Sequence, residues 1–200
     1  MRLNHYNRNE VINLHFRKAK VQNRQRWLNK PVASAGFHRW LIERGSLTLR
    51  LKNQFDDFSV KPQHQLREKC FIEDAAALSM PLRIKVLIRE VTLNSHEHAL
   101  VYAHSVMPFK SLTGAWRGLG LLGNRSLGSA LFANPLVTRT PITFKKLAPH
   151  HPLYQQAAKY HQHPPKYLWA RRSVFMLKNT HLPLCAKILV TEVFLPSLIN

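Results

Sequence analysis

Glu192 is the residue whose type and position most invite a chemical reading. It is the only acid after Glu97, in a stretch that carries twelve Lys and Arg. It lies in Ala186-Lys187-Ile188-Leu189-Val190-Thr191-Glu192-Val193-Phe194-Leu195-Pro196, a β-branched, apolar run of strand type. Alternation puts Glu192 on the face of Ile188, Val190 and Phe194, which should point at the core. A carboxylate there costs free energy unless it is hydrogen-bonded, paired or kept protonated. Arg89 is the complementary cation. It shares a strand face with Leu87, Val91 and Leu93, and an Arg there needs a carboxylate from the protein or from a ligand. Two arrangements are open: an Arg89–Glu192 ion pair, or a pocket with one residue at each end and a small acid between them.

Other constellations support less. Gly118-Leu119-Gly120-Leu121-Leu122-Gly123 matches GxGxxG, but residues 109–117 do not read as a strand and no acid occurs between Glu97 and Glu192 to hold a ribose. The glycines read instead as a compact loop. His150, His151, His161 and His163 lie among Pro152, Pro164 and Pro165 with no acid nearby, so a surface insertion is expected and no metal site. The second half contains no Asp, so no Ser-His-Asp set can be assembled.

Elements must hold Glu192 and Arg89 in place. Phe37, Trp40, Leu41 and Ile42 have helical spacing; Gly45 ends that segment, and Ser46 or Thr48 should cap the next one. Strands are expected at 55–60, 82–93, 100–107, 138–147, 167–177 and 184–195. The turn Asn94-Ser95-His96-Glu97 should make a hairpin, and Lys178-Asn179-Thr180-His181 should join the last two strands. Residues 109–134 should form short helices and tight turns. Strands outnumber helices, and short connections favour antiparallel neighbours.

Two hundred residues suffice for one domain with a core. The two cysteines, Cys70 and Cys185, are far apart and are expected as free thiols. No run of eighteen apolar residues occurs, and the first residues carry no apolar signal region, so a soluble cytoplasmic protein is expected. The net charge of +20 favours anionic partners without fixing the fold.

The motifs Ile88-Arg89-Glu90-Val91, Asn124-Arg125-Ser126-Leu127-Gly128-Ser129-Ala130-Leu131-Phe132, Arg171-Arg172-Ser173 and Thr191-Glu192-Val193-Phe194-Leu195-Pro196 occur in the order of the chorismate pyruvate-lyase family. Ser46-Leu47-Thr48 fits that family's earlier helix start. The chain resembles it over residues 36–199, leaving residues 1–35 as a basic arm or helix before a 36–200 domain. Position 47 carries Leu where the family pattern has Met. The resemblance implies a single α+β domain, with an antiparallel sheet of about six strands and helices and helical flaps over one side. It implies elimination of pyruvate from chorismate to give 4-hydroxybenzoate for ubiquinone synthesis, with no metal or organic cofactor. Carried over, Arg89 binds the ring carboxylate, the backbone amides of Leu47 and Leu127 assist, and Glu192 contacts the oxygen substituent at the far end of the ring. The glycine-rich 113–128 segment is the expected flap. Expected partners are chorismate and 4-hydroxybenzoate, with peripheral contact to an anionic membrane but no specific nucleic acid, and the expected state is a monomer.

Two other functions compete. A non-catalytic effector-type domain of the same fold would bind a small aromatic acid without turnover. A nucleic-acid-binding protein would place stacking aromatics on a basic face, whereas Trp40, Trp116 and Trp169 sit in apolar contexts.

Overall fold

The alternating apolar residues of 85–108 build the centre of a computed structural model that describes residues 26–112, 116–177 and 186–199. β2 (Lys85–Ser95) and β3 (His98–Pro108) form the expected hairpin, which reverses at His96 with a left-handed φ of 51°. β7 (Lys187–Phe194) pairs with the other side of β3, and β6 (Leu168–Leu177) lies beyond β7. β1 (Phe58–Lys69) flanks β2 at one edge, while β4 (Val137–Arg139) and β5 (Thr143–Leu147) both pair with β6 at the other. The α+β class with an antiparallel sheet holds, with seven strands where about six were expected.

Register sorts the side chains into two faces. Arg89 and Val91 of β2, Ala103 and Ser105 of β3, Val190 and Glu192 of β7, and Arg171 and Ser173 of β6 occupy two adjacent rows of one face. A 3-10 turn (Ala35–Phe37), α1 (His38–Leu41) and α2 (Leu47–Gln54) cover one end of that face through Trp40, Leu41, Leu47 and Leu51. The flap covers the other end. It runs from α4 (Phe109–Leu112) through a 3-10 turn (Leu119–Leu121) to α5 (Leu127–Phe132), and packs through Trp116, Leu122, Leu127 and Leu131. Two further helices lie on the opposite face. α3 (Ile72–Leu78) packs Ala75 and Leu78 on Val86, Ile88 and Val106, and α6 (Pro152–Ala158) packs Leu153, Tyr154 and Ala157 on Tyr102, Ala170 and Val193. This double cover explains why β3 is buried along nearly its whole length.

Several boundaries differ from expectation. β1 is twelve residues long and largely exposed, with Pro62 beside a register shift, as an edge strand allows. Leu82 and Ile84 are exposed and precede β2. Pro141, which has no N–H to donate, divides the expected 138–147 strand into β4 and β5. The His- and Pro-rich stretch contains α6, begun by Pro152 and capped by His151, whose Nδ1 accepts from Leu153 N at 3.2 Å. Cys70 is a buried free thiol. The turn at 178–181, Cys185 and most of the 1–35 arm lie outside the described residues. Within that arm, Leu28 exchanges backbone hydrogen bonds of 2.7 and 2.8 Å with Phe144, and Trp27 Nε1 donates to Glu73 Oε2 at 2.8 Å.

Opposite the Arg89 face, His104 is fully buried between Glu90 Oε1 at 2.9 Å and Asp74 Oδ2 at 3.2 Å. Burial opposes charging its ring, but its hydrogen bonds to Asp74 and Glu90 and their negative charges outweigh burial and raise its pKa from 6.5 to about 9. A raised folded-state pKa contributes stability that is complete below pH 6.5 and lost as pH rises toward about 9. The unfolding free energy from urea titrations should therefore fall across that window by on the order of a few kcal/mol, and His104→Gln should flatten the slope. Identical pH profiles for the two proteins would contradict this role for His104.

Candidate functional site

Ser46 caps α2 as its position in the sequence suggests, its Oγ accepting from Leu49 N at 3.3 Å. Ser126 caps α5 in the same way, accepting from Ser129 N at 3.2 Å, and its hydroxyl donates to Thr48 Oγ1 at 2.8 Å. The first turns of the two helices are thereby joined, and Leu47, Thr48 and Gly128 from those turns line one cavity. First-turn amides lack acceptors within their own helix, which suits them to a negatively charged or carbonyl oxygen. The cavity is small, with a volume of about 20 Å³, and is also lined by Phe132, Arg139, Arg171, Phe175, Val190 and Glu192.

Glu192 finds its partner in the adjacent strand. Arg171, directly across the β6–β7 pair, donates from Nε to Glu192 Oε2 at 2.5 Å. The Arg171 side chain is 1 % exposed and that of Glu192 15 %. Of the possible solutions for an acid on this face, the structure adopts a charge-compensating ion pair, and the cation is Arg171, not Arg89. Arg171 Nη1 donates further to the carbonyls of Trp40 at 2.9 Å, Leu41 at 3.2 Å and Glu43 at 2.7 Å. Those carbonyls close α1, where a cation also complements the helix dipole. The loop beyond is held by Glu43, which accepts from Gly45 N and from Arg50 Nη1, both at 2.8 Å.

Arg89 is 2 % exposed and bonded to the flap. Its Nη2 donates to the carbonyls of Gly123 at 2.9 Å and Arg125 at 3.0 Å. Gly123 has a left-handed φ of 54°, a conformation that costs a residue with a side chain about 1–2 kcal/mol. Arg89 Nε has no partner among the described residues, where no carboxylate pairs with this guanidinium, and burial lowers its pKa. Arg89 and Glu192 thus share a sheet face, two strands and one side-chain row apart, a Cα separation of roughly 12 Å. The cavity reaches Glu192 and Leu47; Arg89 and Leu127 are not among its lining residues, although Gly128, next to Leu127, is.

Arg139, on β4, lines the cavity without having been singled out from the sequence. Read along the chain it is a basic residue in a polar edge strand, and only the pairing of β4 with Phe175 of β6 reveals where it sits. Arg171 belonged to a recognised motif, but nothing in its spacing assigned it to Glu192.

The fold class is shared with solved effector domains of transcriptional regulators. The effector domain of PhnF from Mycobacterium smegmatis superposes with a TM-score of 0.56 at 13 % identity, covering 78 % of this chain and 91 % of that one. A GntR-family regulator from Bacillus cereus gives 0.54 at 14 % identity, covering 72 % and 95 %. At such identities the likeness concerns fold alone. The sequence is more specific: the Chorismate lyase family profile matches residues 22–200. A protein of Nitrosomonas europaea named "Probable chorismate pyruvate-lyase" is 46 % identical over 90 % of this chain and 98 % of its own length. One of Methylobacillus flagellatus with the same name is 43 % identical over 88 % and 96 %. The chain belongs to the chorismate lyase family.

Removing Arg171 would strand a half-buried carboxylate and leave the α1 carbonyls without their cation. Arg171→Met should therefore cost about 3–5 kcal/mol in urea unfolding. A loss below about 1 kcal/mol would show that the guanidinium does not organise this region.

Proposed function

We propose that this protein is a chorismate pyruvate-lyase, releasing pyruvate and 4-hydroxybenzoate from chorismate. The observation that carries the reading is a cavity where two joined helix starts meet Glu192, on the same sheet face as a buried Arg89 that has no carboxylate partner among the described residues. The names of relatives aligned over nearly their full length support it. In the reaction the ether bond from the ring to the enolpyruvyl oxygen breaks, and the neighbouring hydroxyl-bearing carbon loses its hydrogen. The ring thereby becomes aromatic, and the departing enolpyruvate takes up a proton to become pyruvate. Aromatisation supplies driving force, so the protein's task is to hold a reactive conformer and exclude water.

In this reading Arg89 receives the ring carboxylate on the donors that the flap carbonyls leave unused, and the Leu47 and Leu127 amides assist. Glu192, paired with Arg171, accepts from the ring hydroxyl at the far end and orients the carbon that must lose hydrogen. Arg89 also grips Gly123 and Arg125, so substrate entry and flap position are coupled through one guanidinium. The proposal extends to a monomeric, cytoplasmic enzyme without cofactor, with residues 36–200 as the catalytic domain and 1–35 as a basic arm. Its product would feed ubiquinone synthesis, and the net charge of +20 supports contact with an anionic membrane.

Incubation with chorismate should yield pyruvate and 4-hydroxybenzoate in equal amounts. Glu192→Gln and Arg89→Ala should each lower kcat/KM by at least about tenfold, the loss of a contact worth about 1.4 kcal/mol. Variants within about threefold of wild type would contradict these roles. Absence of pyruvate together with tight binding of 4-hydroxybenzoate would favour the effector-type alternative that the fold also permits.

A further inference from the structure

The cavity contains a cation that the roles above leave unused. Arg171 is committed to Glu192 and to the carbonyls that close α1. Arg139 is differently placed. Its Nε donates to Ser173 Oγ at 2.7 Å and its Nη1 to Arg44 O at 3.1 Å, both neutral acceptors. Among the described residues no carboxylate forms an ion pair with it. Its guanidinium lies 5.2 Å from the ring centre of Phe175 and 5.6 Å from that of Phe132, and both rings line the same cavity. The backbone beneath it is fixed, since Thr140 N donates to Val174 O and Thr140 Oγ1 accepts from Val174 N, each at 2.9 Å. Burial pulls its pKa down to about 10, with Glu192 and Glu43 opposing, so at neutral pH it remains a charged, incompletely compensated group.

A planar guanidinium held beside two aromatic rings, with neutral partners and a place in the cavity lining, suits a carboxylate. We infer that Arg139 is the second anchor of a dicarboxylate, binding the carboxylate of the enolpyruvyl side chain while Arg89 takes that of the ring. The inference rests on the proposed lyase function and assigns polarity within its site. The enolpyruvyl ether and the ring hydroxyl occupy neighbouring carbons, so a side chain bound at Arg139 brings that hydroxyl beside Glu192, which lines the same cavity. After cleavage the second carboxylate leaves with pyruvate, and 4-hydroxybenzoate no longer has a group for Arg139. The site would therefore distinguish substrate from product by charge at this end.

The test compares Arg139→Met, which keeps an unbranched apolar stem, and Arg139→Lys, which keeps a charge, with wild type. Calorimetry measures the Kd of 4-hydroxybenzoate, steady-state assays follow pyruvate release from chorismate, and thermal unfolding checks the fold. For Arg139→Met, kcat/KM for chorismate should fall at least about tenfold, mainly through KM, while the Kd of 4-hydroxybenzoate stays within about threefold. Arg139→Lys should recover part of the loss. An active wild type whose Arg139→Met variant is unchanged toward chorismate overturns this assignment alone. Equal weakening toward chorismate and 4-hydroxybenzoate also overturns it, because Arg139 would then support the cavity without reading the second carboxylate. A wild type that forms no pyruvate overturns the proposed function and this assignment with it.

Discussion

Arg171 is almost wholly buried, and its charge and donors are answered from within the protein. One side of it is answered by Glu192 on the neighbouring strand, the other by the carbonyls that end α1. The ion pair fixes where β6 and β7 lie relative to the first helices. The carbonyl contacts aim the chain into Ser46, whose cap starts α2 beside the first turn of α5. A charge that costs free energy to bury thus positions the cavity wall.

Acids are scarce in this chain, ten against thirty Lys and Arg, and many are used inside the fold. Glu43 pairs with Arg50, Glu73 with Lys145, Asp74 and Glu90 with His104, and Glu192 with Arg171. On the face opposite the cavity, Glu73 also accepts from Trp27, tying α3 to residues near the start of the described chain. The excess positive charge is therefore not a uniform coat. The acids serve as internal fasteners, and within the cavity Arg139 remains without an acid of its own among the described residues.

Much of this was legible in the sequence where one residue type had one physical use. The Glu192 alternation, the Ser46 cap, the β2–β3 hairpin and the short helices and turns of the glycine-rich stretch are local patterns, and among the described residues each forms as its pattern indicates. What was not legible depends on pairing across long sequence separations. Glu192 could be seen to need a cation, but the sequence pointed to Arg89, and only the β6–β7 register places Arg171 directly across from Glu192. β1 was read as far shorter because an exposed edge strand need not alternate. α6 was obscured by flanking His and Pro, although Leu153, Tyr154 and Ala157 form its buried side. Arg139 has no distinguishing neighbours in sequence, and its position emerges only from where β4 joins the sheet.

A crystal structure with 4-hydroxybenzoate bound would test the proposed site most directly. The ring should lie between the α2 and α5 starts, its carboxylate on Arg89 and its hydroxyl on Glu192, with the Arg171–Glu192 pair intact. A carboxylate seated on Arg139, or a ligand bound away from this face of the sheet, would contradict the polarity on which the whole assignment stands.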